Sequence, residues 1–283
     1  MLSRLDDVLK KAKKGQAIGH FNVHNTEFIQ GIVAGAEKMQ VPVILGVTEP
    51  PLKYMGIEYA VSAAQTASEV NSIPICLHVD HGRDLDLIFE AIESGFSSVM
   101  YDGSLLPIEE NIENTLKVVN KAKPAGVSVE AELGKLKGIE DGIESQNNDL
   151  TDPEQAQYFV EKTNIDALAV AIGTAHGFYD GEPKIDFERL KAIKKVIDVP
   201  LVLHGGSGVP DSSVRKAISI GIKKANVGTA LKAASANAIK KVFAENPEEI
   251  EVVNYMDAAR KAITEKVIEK IKLFNGGLKG GTN

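Results

Sequence analysis

The sequence predicts an α/β fold, a closed (β/α)8 TIM barrel, on three observations. Eight short apolar or β-branched runs recur at strand length. A longer stretch with helical periodicity follows each of them. The chain, at 283 residues, has the size at which such barrels close as one domain.

The strand candidates are AIGHFNV (17–23), PVILGV (42–47), PICLHV (74–79), SSVMYD (97–102), VSVEAEL (127–133), ALAVAI (167–172), PLVLHG (200–205) and IKKANVG (222–228). Between them lie EFIQGIVAGAEKMQ, LDLIFEAIESG, IEENIENTLKVVNKAKPAG, PEQAQYFVEKTN and DFERLKAIKKVID. Several open after Asn, Asp or Pro and several close at Gly, which are helix start and stop signals. An open doubly wound sheet is the alternative, but it would carry a Gly-rich dinucleotide turn after the first strand. FNVHNTE has none. The N-terminal MLSRLDDVLKKAKKGQ reads as a charged amphipathic helix, and the tail as a helix of about five turns over 255–274. One segment breaks the rhythm: 134–153, GKLKGIEDGIESQNNDLTDP, is long, polar and punctuated by glycine. It is expected to be a mobile loop at the active site of a single domain spanning 1–283.

Hydrophobic residues at 43% and charged residues at 25% fit a soluble chain with a sizeable core and exclude disorder. A net charge of -7 supplies no basic field for nucleic acid or an anionic membrane, so a bound phosphate would need a local site. The single cysteine, Cys76, sits inside an apolar run. With no disulfide framework, no secretory apolar core and no run of 18 apolar residues, the expected location is the cytoplasm.

A barrel places its active site at the C-terminal ends of its strands. The eight runs end in Asn22, Thr48, Asp80 with His81, Asp102, Glu132, His176, His204 and Asn226. Three of the six histidines, His81, His176 and His204, follow strands 3, 6 and 7, where three imidazoles can share one cation. Three neutral imidazoles with an open position form a catalytic zinc pattern. His20, His24 and His78 lie near the same rim and are read as supporting residues. Glycine-rich turns HGGSGVP (204–210) and NVGT (226–229) follow strands 7 and 8. Barrels often hold phosphate there, on backbone N–H groups that glycine leaves accessible.

Together LHVDHG, VEAELG, AIGTAHG, LVLHGGSG and NVGT resemble the class II, zinc-dependent ketose-bisphosphate aldolases, which include the fructose- and tagatose-bisphosphate aldolases. The similarity runs in order from GHFNVHN to the C-terminal helix. It implies Zn2+ on His81, His176 and His204, with Asp102 and Glu132 at an outer, alternate metal position. Asp80 matches the catalytic acid/base, and Glu140 a loop glutamate that handles the carbon-bound proton. Gly177, Gly205, Gly206, Ser207, Asn226, Val227, Gly228 and Thr229 match the site for dihydroxyacetone phosphate and a monovalent cation (Na+ or K+). Asn22 and Thr48 match substrate contacts. The partner so implied is a phosphorylated ketose, fructose 1,6-bisphosphate first, acted on by a homodimer or homotetramer.

Two departures bear on the sugar. Gly228 and Ala230 stand where many fructose-bisphosphate members carry side chains that bond sugar hydroxyls. Val253 stands where the family usually has an arginine that reaches the second phosphate. Arg83 is an extra cation beside the metal motif, read either as compensation for that loss or as a solvated helix-start residue. Tagatose 1,6-bisphosphate, another phosphorylated ketose and a catalytically silent sugar-phosphate binder are the alternatives within the fold. A barrel metallohydrolase and a Schiff-base aldolase are the alternatives that use a different chemistry on a barrel. The Schiff-base reading needs a desolvated interior lysine, whereas Lys223 and Lys224, early in strand 8, are expected to snorkel to the surface.

Overall fold

The computed structural model describes residues 1–135, 137–140, 143–145, 149–176 and 183–276, with backbone only for 137–140, 143–145 and His176. Eleven strands form among these residues: β1 (Ile18–Asn22), β2 (Val43–Val47), β3 (Ile75–Gly82), β4 (Ser98–Tyr101), β5 (Ser128–Leu133), β6 (Lys137–Glu140), β7 (Ile143–Ser145), β8 (Ala167–Val170), β9 (Ala175–His176), β10 (Leu201–Leu203) and β11 (Ile222–Val227). Eight of them close a parallel barrel in the order β1-β11-β10-β8-β5-β4-β3-β2. These eight are the eight runs read from the sequence, so the fold is the expected (β/α)8 barrel.

The helices are α1 (Leu5–Leu9), α2 (Thr26–Met39), α3 (Glu49–Met55), α4 (Ile57–Val70), α5 (Leu85–Ser94), α6 (Ile108–Ala122), α7 (Pro153–Thr163), α8 (Phe187–Val196), α9 (Asp211–Ile220), α10 (Thr229–Glu245) and α11 (Val252–Phe274). Their starts follow the sequence signals. Asn25, Asp84, Asp152 and Asp186 each accept first-turn backbone N–H groups at the N-caps of α2, α5, α7 and α8. No helix among the described residues is long and apolar enough to cross a membrane.

Barrel strands buried on both faces carry near-continuous apolar runs, and β3 is buried at all its positions. Period-2 alternation sends one set of side chains to the helices and the other into the barrel. The bottom of the interior is apolar. Leu5, Val8 and Leu9 of α1 plug it against Ile18, Ile44, Cys76, Ala167, Ala169 and Val202. Above this plug the interior turns polar, and there the site is built. On the outside, α11 seats in a groove on α2. A Cβ at Gly31 or Gly35 would come within 2.9 Å of Ile263 or 2.8 Å of Val267, so these two glycines let the helices close together.

The 134–153 segment is not wholly irregular. β6 and β7 pair antiparallel, with Glu140 opposite Ile143. The intervening dipeptide is Asp-Gly, a strong tight-hairpin signal. β6 also pairs in parallel with β9, Gly138 opposite His176, which brings the backbone of this segment beside the strand that ends in His176.

Candidate active site

Neighbouring residues of a strand point to opposite faces, yet Asp80 and His81 both belong at the barrel mouth. The backbone resolves the conflict. Pairing of β3 with β4 shifts register between Val79 and Gly82, and His81 has φ +48°, a left-handed conformation uncommon for a non-glycine residue. An irregularity of this kind re-aims a side chain and is characteristic of active sites.

Asp80 is 1% exposed and held by amides from β1 and β11, across the barrel mouth. Asn22 Nδ2 donates to Oδ2 at 2.7 Å and Asn226 Nδ2 to Oδ1 at 3.2 Å. His20 Nε2 lies 3.3 Å from Oδ2. Burial pushes the Asp80 carboxyl up, but His20 and His81 beside it outweigh burial and hold it well below the usual range. It is therefore an anion, ready to accept a proton. Thr48 Oγ1 and Asn226 Oδ1 are buried with no hydrogen-bond partner among the described residues. A ligand at the mouth would satisfy them.

His81 and His204 face each other with Nε2 and Nδ1 2.7 Å apart. Each is backed by a carboxylate on its other nitrogen: Asp102 Oδ2 lies 3.0 Å from His81 Nδ1, and Glu130 Oε1 3.0 Å from His204 Nε2. Ionised carboxylates only accept, so the ring protons lie on His81 Nδ1 and His204 Nε2. Two lone pairs then point at one another across the gap, an arrangement that calls for a shared cation. Burial, with His81 next to it, lowers the His204 pKa to about 4, leaving its lone pair available at neutral pH. Ligand atoms of Asp80, His81 and His204 converge within 4.8 Å, as do those of His81, Asp102 and Glu132. Glu132 Oε2 is 3.5 Å from His204 Nδ1. Imidazoles with a carboxylate fit a zinc-type donor set.

One layer deeper the structure shows residues that sequence reasoning did not select. Glu130 and Lys224 are both fully buried, with Lys224 Nζ 3.0 and 2.9 Å from the two carboxylate oxygens. Lys224 is thus an interior residue, contrary to the expectation of a snorkelling lysine; Lys223 does reach outward, to the carbonyls of Ala12 and Lys13. Burial pushes the Glu130 carboxyl up, but Lys224, His204 and His78 together outweigh it and hold the carboxyl below the ordinary range. His78 Nδ1 bonds Ser98 Oγ at 2.8 Å, and His20 and His78 pack edge to face at 5.4 Å. Both lie inside the barrel below the rim, while His24 packs on Phe28.

The glycine turns come close to backbone on both sides. A Cβ at Gly205, where φ is +70°, would meet Ala175 O at 2.3 Å, and one at Gly206 would meet Asn226 O at 2.8 Å. Ser207 Oγ accepts from Ala230 N at 3.3 Å, joining this turn to the first turn of α10 after Val227, Gly228 and Thr229. Backbone packed this tightly beside a helix N-terminus suits a phosphate. Arg83 is part-buried and tied inward: its Nη2 donates to Asp102 Oδ2 at 2.5 Å. Val253, at the start of α11, is 74% exposed. Gly177 and the side chains of His176 and Glu140 lie outside the described residues.

The family model for class-II fructose-bisphosphate aldolase matches residues 3–278. A probable fructose-bisphosphate aldolase of Bacillus subtilis (strain 168) is 43% identical over 278 residues, covering 96% of this chain and 97% of its own. Among solved structures, the YdjI aldolase from Escherichia coli K12 aligns with TM-score 0.85 at 36% identity, over 99% of this chain and 100% of that one. A putative fructose-1,6-bisphosphate aldolase from Coccidioides immitis aligns with TM-score 0.88 at 30% identity, over 97% and 96% of the two chains.

Proposed function

The chain belongs to the class-II fructose-bisphosphate aldolase family, and from that premise we propose that it is a zinc-dependent aldolase reversibly cleaving a ketose 1,6-bisphosphate, fructose 1,6-bisphosphate first, to dihydroxyacetone phosphate and glyceraldehyde 3-phosphate. The observation that carries the metal is the pair of facing imidazole lone pairs on His81 and His204, their tautomers set by Asp102 and Glu130. His176 would complete the set. When bound, Zn2+ supplies Lewis-acid stabilisation of the negative charge that develops beside the ketone as the carbon-carbon bond breaks.

The chain's own residues supply the proton traffic. Asp80, anionic and fixed by Asn22 and Asn226, accepts the C4 hydroxyl proton as the aldehyde leaves. Glu140, carried on β6, then gives a proton to the remaining three-carbon fragment; the reverse order is condensation. Gly205, Gly206, Ser207 and the 226–229 turn hold the phosphate of that fragment, with Na+ or K+ beside it, and Thr48 orients the sugar. Asp102 and Glu132 stand at the outer metal position.

A second sugar, tagatose 1,6-bisphosphate or another phosphorylated ketose, is favoured by one feature: Gly228, Ala230 and the exposed Val253 present no polar side chain to hydroxyls or a distal phosphate. Lys224 is a buried interior lysine of the sort a Schiff-base enzyme needs, but both oxygens of Glu130 hold it. A coupled assay for triose-phosphate release, run with Zn2+ on fructose 1,6-bisphosphate, tagatose 1,6-bisphosphate and singly phosphorylated ketoses, tests the reading. Release that a chelator abolishes is expected. Chelator-resistant release with borohydride trapping would assign the Schiff-base route, and no release from any ketose phosphate would overturn the enzyme reading.

A further inference from the structure

We propose that the Arg83 guanidinium takes the place of an outer divalent cation, so that the site holds a single metal ion per chain; the inference rests on the metal-dependent reading above. Asp102 is bonded on both of its oxygens. Its Oδ1 accepts from the Ser104 N–H at 3.1 Å and the Ser104 hydroxyl at 2.6 Å. Its Oδ2 accepts from His81 Nδ1 at 3.0 Å and Arg83 Nη2 at 2.5 Å. A carboxylate offers about four lone-pair sites, so all of this one's capacity is committed. A divalent ion on Asp102 would stand roughly 2.0–2.2 Å from an oxygen, in the space the guanidinium fills.

Arg83 is held in position from behind. Its backbone N–H and that of Asp84 both donate to Glu49 Oε1, at 2.7 and 3.0 Å, which ties the start of α5 to the first residue of α3. The preceding Gly82 has no room for a side chain, since a Cβ would come within 2.8 Å of Met100 O and of Ile88. The chain thus leaves β3 along one tight path, and the guanidinium arrives beside a carboxylate that is 1% exposed at its side chain.

Charge reinforces the steric argument. The group of His81, Asp102 and Glu132 carries two formal negative charges at neutral pH and would attract a dication. Arg83 cancels one of them with a charge that no working pH removes. Asp102 is thereby confined to orienting His81 for the inner ion, as Glu130, paired with Lys224, orients His204. Each imidazole is backed by a carboxylate and each carboxylate by a fixed cation.

Metal content decides the matter without reference to turnover. Purified full-length protein is stripped with a chelator, dialysed against excess Zn2+, freed of loose ions by gel filtration and measured by elemental analysis. The wild type should hold about one ion per chain. Arg83→Ser and the longer, uncharged Arg83→Gln should approach about two, and Arg83→Lys, which restores the cation, should return toward one. Two ions in the wild type, or one in both neutral variants, would overturn the proposal while leaving the metal-dependent reading intact. No ion in a folded wild type would instead overturn that reading and this proposal with it.

Discussion

Lys224 Nζ stands 2.9 Å from Glu130 Oε2 in the closed interior of the barrel, and the same carboxylate reaches His204 at 3.0 Å. The pair joins the stability of the barrel to the orientation of a candidate metal ligand. Lys224→Met removes the cation and leaves Glu130 buried and uncompensated, which costs about 3–5 kcal/mol. Adding Glu130→Gln removes the stranded charge, and the double variant should recover much of that loss. Urea unfolding in the presence of a chelator checks this on the metal-free protein. A double variant as unstable as the sum of the singles would show that the two residues do not act as a pair.

Gly46 is required by a histidine, not by a turn. A Cβ there would lie 1.8 Å from His20 Nε2, and His20 is the imidazole 3.3 Å from Asp80. Gly46→Ala should therefore push the ring aside, with an overpacking loss of about 1–3 kcal/mol and a fall in turnover. Thermal melts and steady-state rates test both. A variant with unchanged stability would mean that the ring has somewhere else to go.

These two sites mark where the sequence was legible and where it was not. The barrel was readable because apolar strand runs and capped helices alternate along the chain, and the rim because each run ends in a polar residue. The layer below was hidden. Glu130 and Lys224 sit inside strands, and composition does not distinguish an inward ionisable residue from an outward one. The period of two could have found them: Glu130 precedes Glu132, Lys224 precedes Asn226, His20 precedes Asn22 and His78 precedes Asp80, each by two positions on the same face. His81, sharing the mouth with adjacent Asp80, breaks that rule through the register shift in β3, which no residue type announces. The bond from Arg83 to Asp102 likewise depends on how Glu49 anchors the start of α5.

His24 makes stability depend on pH in a known direction. Burial, with Lys232 nearby, lowers its pKa from 6.5 to about 4. The folded state therefore favours neutral His24, and between those values the unfolded chain binds more protons. The contribution is full above pH 6.5 and is lost as pH falls toward 4. Across that window His24→Gln should flatten the dependence of unfolding free energy by up to about 1.4 kcal/mol per pH unit. Urea titrations at several pH values measure the two slopes, and equal slopes would remove His24 from the account.

Gly228 offers a way to disturb Asp80 without touching it. A Cβ at this position would come within 2.7 Å of Asn22 Oδ1, and the amide nitrogen of the same Asn22 donates to Asp80 at 2.7 Å. The backbone at Gly228 has φ -117°, outside the left-handed region, so alanine brings no conformational strain and the steric load falls on Asn22. Gly228→Ala should then lower kcat/KM by about 10- to 100-fold, the cost of misplacing a reacting group by a fraction of an ångström to an ångström. Stability should fall by about 0.5–1.5 kcal/mol, because alanine is a much poorer helix N-cap than glycine. Because the effect runs through Asn22, Asn22→Ala should absorb it. Once the amide is gone, adding Gly228→Ala has little left to displace, and the cycle should be strongly non-additive. Additive losses would place the effect of Gly228 elsewhere, in the turn that leads into α10.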